Sequence, residues 1–311
     1  MRDPGKAATL RSAAEAAGVI VDVRPLDVTD PDSITMCVES VVADLGHLDA
    51  VLNNAGAAHV GIIETDDLTA VRACLEVNFF GVVQLTRAVL PHLRTAGGRL
   101  VTVTSVGGVI GQPSNEAYCA AKFAVEGFME SLAPVAASTG VRVSVVEPGA
   151  AACEFITNAG FDPQARLGEA GPYAGALRAY LTRVTSQFAG SAQPASDVAD
   201  IIVALLSAEQ TPFRVQTSDW TRQSLATKLT DIDGSAVQTL TTPWVTGLTP
   251  CDGHRRTSQH RSARRPVTML ELFFDLVFVF LIAQPVSLIA AASTTTTSAA
   301  RIWSRWPRSD A

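Results

Sequence analysis

Disulfide spacing and an excess of basic residues in the body are missing from this chain and no leader segment is expected from its first residues, and each of these narrows what it does. Its five cysteines, Cys37, Cys74, Cys119, Cys153 and Cys251, are an odd number, lie far apart and form no C-x-x-C pair. That fits free thiols in a reducing compartment and no disulfide framework. The first ten residues, MRDPGKAATL, hold no apolar stretch behind the first basic residue, so no secretory signal is expected and a cytoplasmic protein is. Basic residues are not clustered in the body. Residues 1–250 carry 16 basic against 26 acidic side chains, a balance of −10, while residues 251–311 carry 8 arginines, no lysine and 4 acids, a balance of +4. An acidic body excludes a nucleic-acid groove, which needs clustered Lys and Arg to displace counterions. Cys251, His254 and His260 lack a fourth partner and a ligand-like spacing, so no metal site is expected. What is present is apolar: 47% of the 311 residues, enough for a packed core and unlike a disordered chain.

Along the chain, helical and strand-like stretches alternate. Residues 4–18 read as a helix with Pro4 near its start and Gly18 as its stop. Residues 19–26 are β-branched and read as a strand, ending in a turn, Asp27 to Asp30, that caps a helix over 31–45. A short apolar strand over 48–53 is followed by a long helix over 69–93 and a strand over 99–104. After a Gly/Pro loop come a helix over 118–138 and a strand over 141–146 that stops at Pro148-Gly149. A helix over 196–207 and a strand over 213–217 close the pattern. Continuous apolar strands alternating with helices indicate an α/β fold, a doubly wound parallel sheet covered on both faces. The stretch 150–195 lacks periodicity, and in such a fold an excursion of this kind sits over the carboxyl ends of the strands, where ligands bind.

Tyr118 and Lys122 lie four apart inside a predicted helix and so share one face. A phenol with a pKa near 10 is a poor base at neutral pH, and a neighbouring cation favours the phenolate. Ser105 stands at a strand end, where its hydroxyl can meet a substrate carbonyl beside the tyrosine. Alone, Y-x-x-x-K is as readily a surface pair as a catalytic one.

Four further landmarks accompany it: Asn53-Asn54-Ala55-Gly56 at a strand end, Asn78 within VNFFG, Ser105 thirteen residues before Tyr118, and Pro148-Gly149 after the next strand. Together these resemble the short-chain dehydrogenase/reductase family over residues 1–245, in the branch that includes hydroxysteroid and retinol dehydrogenases. The resemblance implies a Rossmann-like NAD(P)-dependent oxidoreductase that interconverts a secondary alcohol and a ketone. Tyr118 would be the general acid/base and, with Lys122, a cofactor contact. Lys122 would lower its pKa and hold the nicotinamide ribose, Ser105 would orient the substrate oxygen, and Asn78 would hold a water linking Lys122 to solvent. Asp27 and Val28 would contact the adenine, Asn54, Ala55 and Gly56 would line the cofactor ribose, and Pro148 and Gly149 would border the cofactor. Arg2 would meet the 2′-phosphate of NADP, making NADP(H) the expected cofactor and NAD(H) the alternative. Other readings stand beside these: Asn53 as a tie between strands, Asp27 as a turn residue, Pro148-Gly149 as loop punctuation, and Arg2 as a solvated terminal residue. The implied partner is a small, lipid-like alcohol or ketone, and a homo-oligomer is compatible with the resemblance.

Two departures from the family pattern are visible. Cys153 stands where the family usually places a threonine that reaches the nicotinamide amide, and a thiol is the weaker hydrogen-bonding group. No T-G-x-x-x-G-x-G turn occurs in the chain, and Gly107-Gly108-Val109-Ile110-Gly111 precedes the Tyr118 helix and does not replace it. The dehydrogenase domain, residues 1–248, is therefore expected to be truncated at its amino end, lacking the first strand, the turn and the second strand. Without amides at a helix N-terminus for the pyrophosphate, weak cofactor binding is expected.

An Arg-rich linker over 249–267 leads to an apolar segment over 268–292 and a low-complexity tail over 293–311. Leu270 to Phe280 resembles the start of the bacterial low-temperature-requirement A membrane proteins, which implies an apolar helix and membrane association. Residues 276–292 fall short of the ~20 needed to span a bilayer, so a buried or associating apolar tail is the competing expectation. Beside the enzyme reading stand a catalytically silent remnant or interaction module and a membrane-tethered protein whose function lies in the tail.

Overall fold

The computed structural model describes residues 2–152 and 162–230, residue 243, and a strand at Val279–Ile282. After a 3-10 turn at Pro4–Ala7, α1 spans Ala8–Ala16. Asp30 caps α2, Pro31–Leu45, by accepting from Asp32 N, and Gly46 ends it at φ +82°, a left-handed position that favours glycine. Then follow β1 (Ala50–Asn53), α3 (Leu68–Leu75), a π-helical turn (Glu76–Phe80) and α4 (Gly81–Ala96). Next come β2 (Arg99–Val103), α5 (Glu116–Ala137), β3 (Arg142–Glu147), β4 (Ala151–Ala152), α6 (Pro163–Glu169) and α7 (Ala174–Ser191). The remaining elements are β5 (Gln193–Pro194), α8 (Ala195–Ser207), β6 (Arg214–Gln216), α9 (Asp219–Leu229) and β7 (Val279–Ile282).

Strands run in the order β6-β3-β2-β1-β7, and the three pairings among β6, β3, β2 and β1 are parallel. Side chains alternate across this sheet. Val51, Leu100 and Val145 pack on one face with residues of α2, α4 and α5, while Ala50, Leu52, Val101 and Val146 pack on the other with Val198, Ile202 and Leu205 of α8. Helices on both faces bear out the doubly wound reading, and they place the carboxyl ends of β1, β2 and β3 along one rim. A two-residue ladder, β4 with β5, joins the two ends of the excursion.

Two expectations fail. Residues 19–26 form no strand: Ile20 is fully exposed, and Val21 and Val23 pack only against Ala7 and Leu10. A β-branched run becomes a strand by pairing, and among the described residues none pairs with it. Within the apolar segment expected to be helical, Val279–Ile282 is instead a strand, antiparallel to β1 with Ile282 opposite Ala50. A four-residue run of Val, Phe, Leu and Ile suits a strand, and the edge of β1 offers unpaired backbone groups. The rest of 268–292, the linker and the 293–311 tail lie outside the described residues.

Among the described residues the helical stretch Leu68–Ala96 is long and apolar enough to cross a membrane. Its Val82, Leu85, Val89 and Leu93 are buried in the core.

Candidate active site

Val103 ends β2, and two residues on, Ser105 turns the chain into a 3-10 turn by accepting the Gly107 amide on its hydroxyl at 3.0 Å. Gly107 is wedged between two expected catalytic groups. A Cβ there would lie 3.2 Å from the Tyr118 ring and 3.4 Å from Ser105 Oγ, so Ser105 and the Tyr118 ring both border Gly107, and a side chain at that position would crowd the ring. Gly108 packs on α5 in the same way, against Glu126 and Lys122. These glycines serve helix packing and form no phosphate cradle.

Tyr118 sits in the first turn of α5, with Lys122 one turn further on. The ammonium lies 5.9 Å from the centre of the Tyr118 ring and donates to the Val103 carbonyl at 3.0 Å. Lys122 is only 4% exposed. Burial lowers its pKa to about 8, against the opposing pull of Cys74 and Glu126.

Asn78 lies in the π-helical turn between α3 and α4, a distortion often found at functional sites. Its Oδ1 accepts from Ala57 N at 3.1 Å, and its Nδ2 donates to Ala57 O at 2.8 Å and Cys74 O at 2.9 Å. Asn78 thus clamps the loop that follows β1. Asn53 is a tie between elements: its Nδ2 donates to Thr102 on β2 at 3.1 Å and Thr86 on α4 at 3.3 Å. Asn54, Ala55 and Gly56 follow directly at the rim.

On the far side of β1, the Asp27 carboxylate accepts from Thr29 N and Oγ1 at 2.9 and 2.7 Å. Burial would raise its pKa, but those two donors and the charge of Arg2 outweigh it, and the carboxyl lies below its usual value. Val28 closes on Gly81, where a Cβ would approach it to 2.9 Å. Val28, Asn53, Ala55, Val77, Gly81 and Val82 line a small concavity there. Pro148 accepts the Val106 amide at 2.9 Å, and Gly149 is covered by Trp220 and Thr221 at 3.2 and 2.9 Å from an added Cβ. Both hold the rim together. Cys153 lies outside the described residues.

The sequence did not point to Glu126, one turn beyond Lys122. Its carboxylate lies 3.1 Å from Arg214 Nη1, which also meets Glu147 Oε1 at 2.8 Å. Burial raises the Glu126 pKa to about 7, with Glu147 adding to the effect and Thr104 and Arg214 opposing it. Two buried carboxylates share one guanidinium, so one of them is readily protonated. The spacing from Lys122 is the sole sequence signal.

The residues present suit a nicotinamide dinucleotide at its nicotinamide ribose. A buried ammonium has three donors; Lys122 gives one to Val103, leaving two for the hydroxyls of a ribose, while the concavity beside Val28 is filled by its own lining and gives no room for an adenine.

A family model described as short chain dehydrogenase matches residues 1–162. Retinol dehydrogenase 8 of Bos taurus is 37% identical over 247 residues, covering 76% of each chain. Estradiol 17-beta-dehydrogenase 1 of Rattus norvegicus is 34% identical over 218 residues, covering 69% of this chain and 63% of that protein. Among solved structures, a short-chain dehydrogenase from Streptomyces avermitilis is 30% identical with a TM-score of 0.59, covering 79% of this chain and 85% of that one. A short-chain dehydrogenase/reductase from Burkholderia phymatum, solved in complex with NAD, shares the fold at 20% identity and a TM-score of 0.64, covering 82% of this chain and 87% of that one.

Proposed function

The chain belongs to the short-chain dehydrogenase family and is an NAD(P)-dependent oxidoreductase, and from that premise we propose that it interconverts a lipid-like secondary alcohol and its ketone, with Tyr118 as general acid/base. The observation that carries this reading is that Ser105 Oγ and the Tyr118 ring both border Gly107, with the buried Lys122 ammonium 5.9 Å from the centre of that ring. When bound, the dinucleotide supplies the hydride acceptor or donor at its nicotinamide. In alcohol oxidation the Tyr118 phenolate takes the hydroxyl proton as the carbinol C–H bond gives up its electron pair; in ketone reduction the phenol returns that proton to the oxygen. Ser105 donates to the same oxygen and fixes its place. Lys122 stabilises the phenolate by its charge and holds ribose hydroxyls, and Arg2 pairs with a 2′-phosphate, which favours NADP(H).

Lipid-like character rests on the resemblance to retinol and estradiol dehydrogenases. Purified protein incubated with saturating NADP and either estradiol or retinol, followed by appearance of NADPH, tests it. Turnover of estradiol supports a secondary alcohol, turnover of retinol alone corrects the substrate to a primary one, and absence of both removes the lipid-like reading.

A further inference from the structure

The chain has three tyrosines, Tyr118, Tyr173 and Tyr180. The second and third belong to the excursion that follows β4, and the hydroxyl of each bonds to a residue outside it. Asn115 Nδ2 donates to the Tyr180 hydroxyl from the residue that precedes α5, three before Tyr118. Tyr173 donates to Glu64 Oε2 at 2.8 Å, and Arg166 Nη1 lies 3.7 Å from Asp66 Oδ1. Arg166, Tyr173 and Tyr180 are spaced by seven residues, so the excursion is tied down once in α6, once ahead of α7 and once within α7.

The receiving surface is itself fixed. Glu64 and Asp66 lie in the loop after β1, whose Ala57 is clamped by Asn78 and whose Gly61 amide donates to the Ser114 carbonyl at 2.9 Å. Ser114 adopts φ +58°, a left-handed conformation that costs a non-glycine residue energy. Asp66 folds back so closely that a Cβ on Gly61 would collide with its carboxylate. The three ties differ in weight. Tyr173 and Arg166 are 42% exposed and, at the side chain, 36% exposed, and water competes with such contacts. Tyr180 and Asn115 are 4% and 7% exposed, so a missing partner there leaves a buried polar group unsatisfied.

We propose that Tyr180 is a positioning residue: through Asn115 it fixes α7 as the substrate-side wall against the first turn of the helix that carries Tyr118, with Tyr173–Glu64 and Arg166–Asp66 as weaker outer ties. The proposal rests on the reading of Tyr118 as acid/base. Tyr180 touches neither reacting atom nor cofactor in this role. It sets where the wall stands, and therefore how well a substrate is held, without altering proton transfer.

The test is Tyr180→Phe, which keeps the ring and removes the hydroxyl, measured in two ways. Amide hydrogen exchange should quicken about tenfold or more in residues 174–187 while β1, β2 and β3 keep their protection, as expected when a local tie is lost without global unfolding. With the substrate that the wild type turns over, KM should rise about tenfold while kcat and NADPH affinity stay within about twofold, the mark of lost ground-state positioning. Unchanged exchange in 174–187 overturns the proposal. So does quickened exchange with KM unchanged, or a fall in kcat at constant KM, which would make Tyr180 part of the chemistry. Should Tyr180→Phe fold poorly, Asn115→Ser applies the same two readouts from the other side of the bond. If the wild type turns over no alcohol or ketone, the reading of Tyr118 fails, and the exchange measurement still decides whether Tyr180 anchors α7.

Discussion

Lys122 and Val103 are joined by a 3.0 Å hydrogen bond from the ammonium to the carbonyl, which fixes the cation at the end of β2, two residues ahead of Ser105. The same ammonium is asked to hold ribose and to tune a phenol. Lys122→Met therefore removes both functions, and we expect NADPH affinity to fall about tenfold and turnover about a hundredfold or more, in line with the usual size of general acid/base contributions. Fluorescence titration and steady-state rates measure the two separately. Normal affinity in the variant would remove Lys122 from the ribose.

Stability should depend on pH through the same helix. Lys122 is lowered from 10.5 to about 8, so between about pH 8 and 10.5 the unfolded chain binds the extra proton and stability rises with pH. Glu126 is raised from 4.5 to about 7, so its contribution is present below pH 4.5 and is lost as pH rises through 7. Together they place a shallow minimum between about pH 7 and 8. Urea unfolding at pH 5, 7.5 and 9.5 should show it, with a depth of about 1–3 kcal/mol. Glu126→Gln should flatten the acidic limb and Lys122→Met the basic one; limbs that persist in those variants belong to other groups.

The proposed pairing of Arg2 with a 2′-phosphate is tested through cofactor choice. Arg2→Ala should weaken NADPH about fivefold to tenfold, the scale of one charge-assisted contact at an exposed site, and leave NADH unchanged. Equal losses for both cofactors would show that Arg2 serves the adenine side in general and no 2′-phosphate in particular.

The tail offers a sharper contrast between sequence and structure. Its composition suggests a segment that stands apart, whose removal improves solubility and costs nothing. Pairing of Val279–Ile282 with β1 instead predicts that deleting residues 251–311 lowers Tm by several degrees, since β1 loses an edge partner and free strand edges associate. An unchanged Tm with better solubility would show that the tail stands apart from the fold.

How much is legible in the sequence depends on the distance over which a residue acts. The α/β alternation, the caps at Asp30 and Gly46, and the Tyr118–Lys122 face are local and can be read from the residues themselves. Residues 19–26 have the composition of a strand without being one, because a strand is a property of its neighbours as well as of its own residues. The role of Asn53 is decided by Thr86 and Thr102, 33 and 49 residues away, which accept from its amide. The π-helical turn at Asn78 leaves no mark in an apolar helical pattern, and the ties from Tyr173 and Tyr180 cross 109 and 65 residues. Those contacts are made by the fold, and nothing in the spacing of single residues announces them.

The most direct test of the account is a single-turnover experiment with Tyr118→Phe under saturating NADPH and a ketone the wild type reduces. The phenyl ring and the ribose contacts proposed for Lys122 remain, so cofactor affinity should stay within about twofold, while hydride transfer should slow by a factor on the order of a hundred to ten thousand for loss of the proton donor. Hydride transfer at near the wild-type rate in that variant would contradict the assignment of Tyr118 as the acid/base.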